Sequence, residues 1–166
     1  MSDERALPED KMRLVYNAIP GHFTRTFTYE EQECFARQYG LDLQKPIIGI
    51  VGRLDPVKGH REFIAAAAQL RGKFSEVQFV IVGEGDESEA LAAYVKELGC
   101  EEDVKFLGHQ KDVLIVLSIM DIFICCSHME GLGLVIAEAM AQGKPVIGTK
   151  VGGIPEIVDE GLTGLL

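Results

Sequence analysis

Two pairs of charged residues have types and spacings that could do chemistry. Arg53 and Lys58 stand in Gly52-Arg53-Leu54-Asp55-Pro56-Val57-Lys58-Gly59, directly after an apolar run. An Arg fork and a Lys point charge leaving one strand end suit a diphosphate; two solvated cations are the alternative. Glu130 and Glu138 flank the start of an apolar helix expected from about Leu134 to Gln142. Glu138 is that helix's one charged residue, and a buried carboxylate is costly unless something pairs with it. No basic residue in the helix can do so, which leaves a group elsewhere in the fold or a ligand. Both carboxylates approach a helix N-terminus where Gly131 and Gly133 bare the backbone N–H groups. Such a place suits a ligand carrying hydroxyls and an anionic group. The bland alternative pairs Glu138 with a buried cation and leaves Glu130 in solvent. Gly83-Glu84-Gly85, Gly108-His109-Gln110, His128 and Gly152-Gly153-Ile154-Pro155-Glu156 are weaker signals, each also readable as an ordinary turn or loop residue.

These residues need elements to hold them. Thr28 with Glu31 makes a capping box that would open a helix running to about Tyr39, closed by Gly40. From Lys45 onward, apolar runs at Ile47–Val51, Gln78–Val82, Val104–Leu107, Ile122–Cys125 and Pro145–Gly148 read as buried strands. Between them, Glu62–Leu70, Glu87–Leu98, Asp112–Ile119 and the helix after Gly133 read as helices, with Gly99 and Gly143 as stops. The last of these is apolar almost all round, which predicts an internal helix. This alternation predicts an α/β fold, a Rossmann-like parallel sheet with helices on both faces. In such sheets ligands bind at the carboxyl ends of the strands, where the singled-out loops lie. Residues 1–12 are expected to be disordered or extraneous to the domain. Residues 13–44, with a short strand candidate at Arg13–Tyr16, form a lead-in; residues 45–166 form the domain. The chain stops after the turn at Gly161–Leu166 with no closing helix, as a piece of a longer protein would.

The 166 residues carry a formal net charge of -10. That balance argues against general nucleic-acid or anionic-membrane binding. No apolar run reaches membrane-spanning length and the N-terminus lacks a leader pattern, so a cytoplasmic location is the default. The four cysteines, Cys34, Cys100, Cys125 and Cys126, show no metal-ligand spacing and read as reduced, small apolar residues.

Gly52-Arg53-Leu54 with Lys58-Gly59, Gly83-Glu84-Gly85, Phe106-Leu107-Gly108, Glu130-Gly131-Leu132-Gly133-Leu134 with Glu138-Ala139-Met140-Ala141, and Gly152-Gly153-Ile154-Pro155-Glu156 occur in order. Together, over nearly the whole chain, they resemble the nucleotide-sugar-binding C-terminal half of retaining GT-B glycosyltransferases of family 4. The resemblance implies one half of a GT-B fold, truncated at its C-terminus. It also implies a parent enzyme that transfers a sugar from a nucleoside-diphosphate sugar to an acceptor, the isolated piece being inactive. By the same resemblance Arg53, Lys58 and Glu130 would be catalytic. The cations would hold the diphosphate and stabilise it as it leaves, and Glu130 would orient hydroxyls of the transferred sugar. Gly133, Leu134 and Val135 would face the distal phosphate and Glu138 the ribose. Gly83, Glu84, Gly85, Phe106, Leu107, Gly108 and His109 would frame the nucleobase, and Gly52 and Gly131 would also belong to the donor site. No Asp-x-Asp occurs in the chain, so the expectation is no metal and no cofactor, with Arg53, Lys58 and the helix dipole meeting the diphosphate. The expected partners are the nucleotide-sugar donor and an N-terminal acceptor domain of the same parent, which could work at a membrane surface; no nucleic acid is expected. Leu132 and Cys126 depart from the aromatic and the proline often found there, and Asn17-Ala18-Ile19 replaces an Asn-Gly-aliphatic turn.

Other readings compete. A GT-B relative with different chemistry, a nucleotide-sugar epimerase or a phosphorylase, would need other sugar-facing residues. A nucleotide-sensing or interaction module would have no need to keep Arg53, Lys58, Glu130 and Glu138 together. A dinucleotide-binding domain is disfavoured because the first strand–helix turn lacks Gly-x-Gly-x-x-Gly.

Overall fold

A computed structural model describes residues 11–166 apart from Leu14, Tyr16 and Ser75. The expected disorder of residues 1–12 falls mostly outside the described residues, as do two positions of the strand candidate Arg13–Tyr16.

Six strands form one parallel sheet: β1 (Ile47–Val51), β2 (Gln78–Val82), β3 (Val104–Gly108), β4 (Ile122–Cys125), β5 (Val146–Gly148) and β6 (Gly164–Leu165). Their spatial order is β3-β2-β1-β4-β5-β6. The chain therefore builds outward from β1 in one direction, then crosses back to β4 and builds in the other. That reversal opens a crevice beyond the carboxyl ends of β1 and β4. Strand neighbours are in register, Ile50 against Ile81 and Gly49 against Phe123.

Side-chain alternation along the strands divides the core into two clusters. On one face, Ile47, Val80, Val82, Phe123 and Val146 pack with Ala36, Val116, Leu117, Ile136 and Ala139. These come from α1 (Tyr29–Gln38), α4 (Val113–Ile119) and α5 (Leu134–Ala141). On the other face, Ile50, Phe79 and Ile81 pack with Phe63, Ile64, Leu91 and Val95, from α2 (His60–Arg71) and α3 (Ser88–Glu97). Successive strand residues point to opposite faces, so near-continuous apolar runs are what a sheet covered on both sides requires.

The helix boundaries have local causes. Thr28 and Glu31 exchange both capping-box hydrogen bonds at the start of α1. Asp112 accepts from the Leu114 N–H at the start of α4. Two short elements carry no pattern that the sequence reading detects: α6 (Ile154–Ile157) and the edge strand β6. The expectation of an internal α5 needs correcting. Only Ile136 and Ala139 are buried on it, and Leu134 is 44% exposed. An all-round apolar surface shows what a helix tolerates, whereas burial depends on which neighbours reach it, and one flank of α5 faces the crevice.

Candidate functional site

The crevice holds a cavity of about 580 Å³. Its walls come from the strand ends and from the turns after β1, β2, β3 and β4, closed by the first turns of α5. Gly52, Arg53, Lys58, Gly83, Glu84, Glu130, Gly133, Leu134, Val135 and Glu138 all line it. Gly85, Phe106, Leu107, Gly108 and Gly131 do not. Phe106, Leu107 and Gly108 belong to β3, which runs on through Gly108, so the wall is made instead by His109 and Gln110 just beyond it. Gly85 meets its own protein: a Cβ there would lie 2.2 Å from the Leu54 carbonyl oxygen. Ser127, Cys125, Gln110 and Val113 also face the cavity. Of these, only Gln110 stands in a loop singled out as a candidate ligand contact; Cys125 reads from the sequence as a small apolar residue at a strand end, and Ser127 and Val113 are given no role there.

The turn after β1 is built to present its cations. Asp55 caps a single 3-10 turn, Pro56–Lys58, by accepting from the Val57 N–H at 2.8 Å. Gly59 follows with φ 71°, and a Cβ there would strike the Cys126 backbone, so the turn can lie flat against the loop after β4. The His128 N–H donates to the Val57 carbonyl at 2.7 Å and ties the two loops together. Lys58 then reaches across, its Nζ donating to Glu130 Oε2 at 2.7 Å. The Ser127 hydroxyl donates to the same oxygen at 2.9 Å. Burial by itself would raise the Glu130 carboxyl, but these two donors outweigh it and hold it below the ordinary glutamate value. Arg53 is 74% exposed and pairs with Asp55, its Nε donating at 2.8 Å. The Arg53 hydrogen bond, joined by the Val57 N–H, lowers the Asp55 carboxyl.

Glu138 is the opposite case. It faces the cavity one turn into α5, and among the described residues it has neither a salt bridge nor a hydrogen bond through its carboxylate. Burial pushes its carboxyl above the ordinary value, opposed only by His22. The bland sequence alternative is therefore inverted: Glu130 carries the cation, and Glu138 stands without one. At the head of α5, Gly133 adopts φ 76° and no side chain caps the helix. The first N–H groups of an uncapped helix are ready donors for an anion, with the helix dipole behind them.

A second glycine contact fixes the Glu130 loop from outside. A Cβ on Gly152 (φ 53°) would come within 1.6 Å of the Glu130 carbonyl oxygen, and the Gly153 N–H donates to the Gly131 carbonyl at 2.9 Å. The Gly152-Gly153 turn is thus a close backbone approach, made to the Glu130 loop.

All four cysteines are free: Cys100 and Cys125 are buried and Cys34 lies exposed on α1. Burial pushes the Cys126 thiol up to about 11. Among the described residues, no helix is long and apolar enough to cross a membrane.

A model of the family described as Glycosyl transferases group 1 matches residues 31–166. The chain belongs to that family. It is 33% identical over 163 residues to the N-acetyl-alpha-D-glucosaminyl L-malate synthase of Bacillus anthracis, covering 98% of this chain and 42% of that protein. It is 30% identical to the alpha-D-kanosaminyltransferase of Streptomyces kanamyceticus, covering 100% of this chain and 43% of that one. Among solved structures, Anabaena HepE in complex with UDP and glucose superposes with a TM-score of 0.83 at 31% identity, covering 93% of this chain and 42% of HepE. A Rickettsia africae glycosyltransferase reaches 0.87 at 25% identity, with 96% and 43% covered. The chain thus spans less than half the length of these relatives. It has the Rossmann-like fold of one GT-B half.

Proposed function

We propose that this chain is the donor-binding half of a retaining, metal-independent glycosyltransferase, and that the crevice beyond β1 and β4 holds a nucleoside-diphosphate sugar. The observation that carries the reading is the meeting of Arg53, Lys58 and the uncapped head of α5 around one cavity, with Glu138 inside it unpaired among the described residues. Relatives named as glycosyltransferases, and a similar fold solved with UDP and glucose, support it.

In the transfer step the bond between the anomeric carbon of the sugar and the distal phosphate oxygen breaks, and its electron pair leaves on the nucleoside diphosphate. An acceptor hydroxyl forms the new bond and gives up its proton to the departing diphosphate. Negative charge grows on the leaving phosphate, so fixed donors aimed there lower the barrier. Lys58, Arg53 and the first N–H groups of α5 are those donors, which is why no metal is required in this reading. Arg53 would exchange Asp55 for phosphate at little cost, because exposed ion pairs are weak. Glu130, kept ionised by Lys58 and Ser127, accepts hydrogen bonds from sugar hydroxyls. Glu138 accepts from the ribose hydroxyls, which removes its uncompensated burial. Relatives named for alpha-linked sugars support retention of configuration for a donor that is itself alpha-linked.

The chain alone is expected to bind donor and transfer nothing, since acceptor and cleft closure belong to the rest of the parent. A thermal-shift screen of the chain with UDP, GDP, ADP and NAD, with and without EDTA, tests this. A ligand that binds only the folded state raises the melting temperature. One nucleoside diphosphate should do so, unchanged by chelator. A shift with NAD alone, or one abolished by EDTA, would overturn the reading.

A further inference from the structure

The cavity has a chemically distinct far end. Cations, Glu130 and the α5 N-terminus come from the turns after β1 and β4. Gly83, Glu84, His109, Gln110 and Val113 form the wall on the β2–β3 side. If the diphosphate lies at the first end, the nucleoside must extend to the second, so this inference rests on the donor-binding reading. Gln110 is the side chain there whose orientation is fixed. Its Nε2 donates to the Leu107 carbonyl at 2.5 Å and to the Tyr39 hydroxyl at 2.8 Å. A carbonyl accepts and never donates, so the amide nitrogen must face Leu107 and the amide cannot be flipped. Both Nε2 hydrogens are then committed. Oε1 remains a pure acceptor with no partner among the described residues.

We propose that Gln110 reads the nucleobase, its Oε1 accepting the N3–H of uracil, with Tyr39 as the positioning residue that holds the amide in that sense. A fixed acceptor selects a base edge that carries a hydrogen. Uracil presents N3–H, whereas the N3 of cytosine is itself an acceptor and would leave two lone pairs facing each other. Guanine also presents an N1–H, and the similar fold solved with UDP favours uracil. A site built to hydrogen-bond a ligand group discriminates against an analogue lacking it, because the half-buried Gln110 acceptor would be left facing a methyl group or a lone pair. Tyr39 lies at the end of α1, outside the cavity wall, so the base contact also links the lead-in helix to the site.

The test measures calorimetric affinities of the chain for UDP and for N3-methyl-UDP, in the native sequence, Gln110→Met and Tyr39→Phe. The native chain should prefer UDP by about tenfold or more. Gln110→Met keeps the bulk and loses the acceptor, so it should bind UDP about tenfold more weakly and N3-methyl-UDP about as weakly as the native chain does. Tyr39→Phe should lose part of that preference while Gln110 is still present. Thermal melting without ligand separates a folding defect from a binding one. If Gln110→Met weakens both nucleotides equally, or weakens neither, the base-reading role is overturned while donor binding stands. If neither UDP, ADP nor GDP binds the native chain, the donor-binding reading fails and this inference falls with it.

Discussion

Glu130 and Glu138 lie two turns apart on either side of one helix start, and the protein treats them in opposite ways. Glu130 is given a lysine, a hydroxyl and two glycine contacts that pin its loop, and its carboxyl is held low. Glu138 is given burial without a partner among the described residues, and its carboxyl is pushed up. A group whose geometry must be right before the ligand arrives is built into the fold. A group whose interaction is completed by the ligand is left unsatisfied, and its burial raises the free energy of the empty site. Occupancy of the cavity should therefore relieve Glu138 and redirect Lys58, from Glu130 towards phosphate.

Four changes test this contrast. The largest effect is expected from Gly152→Ala, which puts a Cβ into the Glu130 carbonyl oxygen at positive φ; a urea titration should show a loss of more than about 3 kcal/mol. Lys58→Met strands Glu130 in a site where it is 12% exposed. It should cost about 2 kcal/mol of stability and weaken nucleoside-diphosphate binding on the order of a hundredfold by calorimetry.

His60 comes next because it shares the neighbourhood and would otherwise confound the pH behaviour of the two glutamates. It is 2% exposed, neither ring nitrogen has a partner among the described residues, and burial lowers it to about 4. The unfolded chain binds its proton near pH 6.5 and the folded chain does not, so stability falls as pH drops through that window. His60→Leu should remove that loss, gaining up to about 3 kcal/mol near pH 4 in acid denaturation.

The smallest effect on stability belongs to Glu138→Gln. Because its folded value is raised, ionised Glu138 costs stability above the unfolded value, so the variant should equal or exceed the native chain near pH 7 by less than about 1 kcal/mol. Glu130 has the reverse sign, since its depressed value gives stability that is lost as pH falls through it. Glu138→Gln should nonetheless weaken ribonucleotide binding more than binding of the 2′-deoxy analogue. Equal loss for both would mean that Glu138 does not meet the ribose.

The sheet was legible because strands buried on both faces leave uninterrupted apolar runs, and β1, β2 and β4 begin and end where those runs do. The capping box gave the start of α1 for a similar reason, since both partners are local. Contacts distant in sequence left no such mark. Lys58 and Glu130 are 72 residues apart, and nothing in either stretch says that one will neutralise the other. The exposed flank of α5 was misjudged because hydropathy reports tolerance of burial and cannot supply a neighbour. At the far wall, Phe106, Leu107 and Gly108 caught attention as a motif, while the cavity is reached only past the end of the strand, at His109 and Gln110. The short edge strand β6 and the single turn α6 are too brief to show a period.

The two glycine contacts around the Glu130 loop also bear on how this protein could change over time. With Gly59 seated on Cys126 on one side and Gly152 on Glu130 on the other, the loop has no slack to take up an inserted or deleted residue. Its backbone is a fixed frame. New ligand preferences would have to arise by exchanging side chains that project from it, such as Met129, which is 73% exposed, or Leu132. Variation here should appear as substitutions at constant loop length, whereas at Gly161 a Cβ would meet nothing within 4 Å and no neighbour presses on the turn.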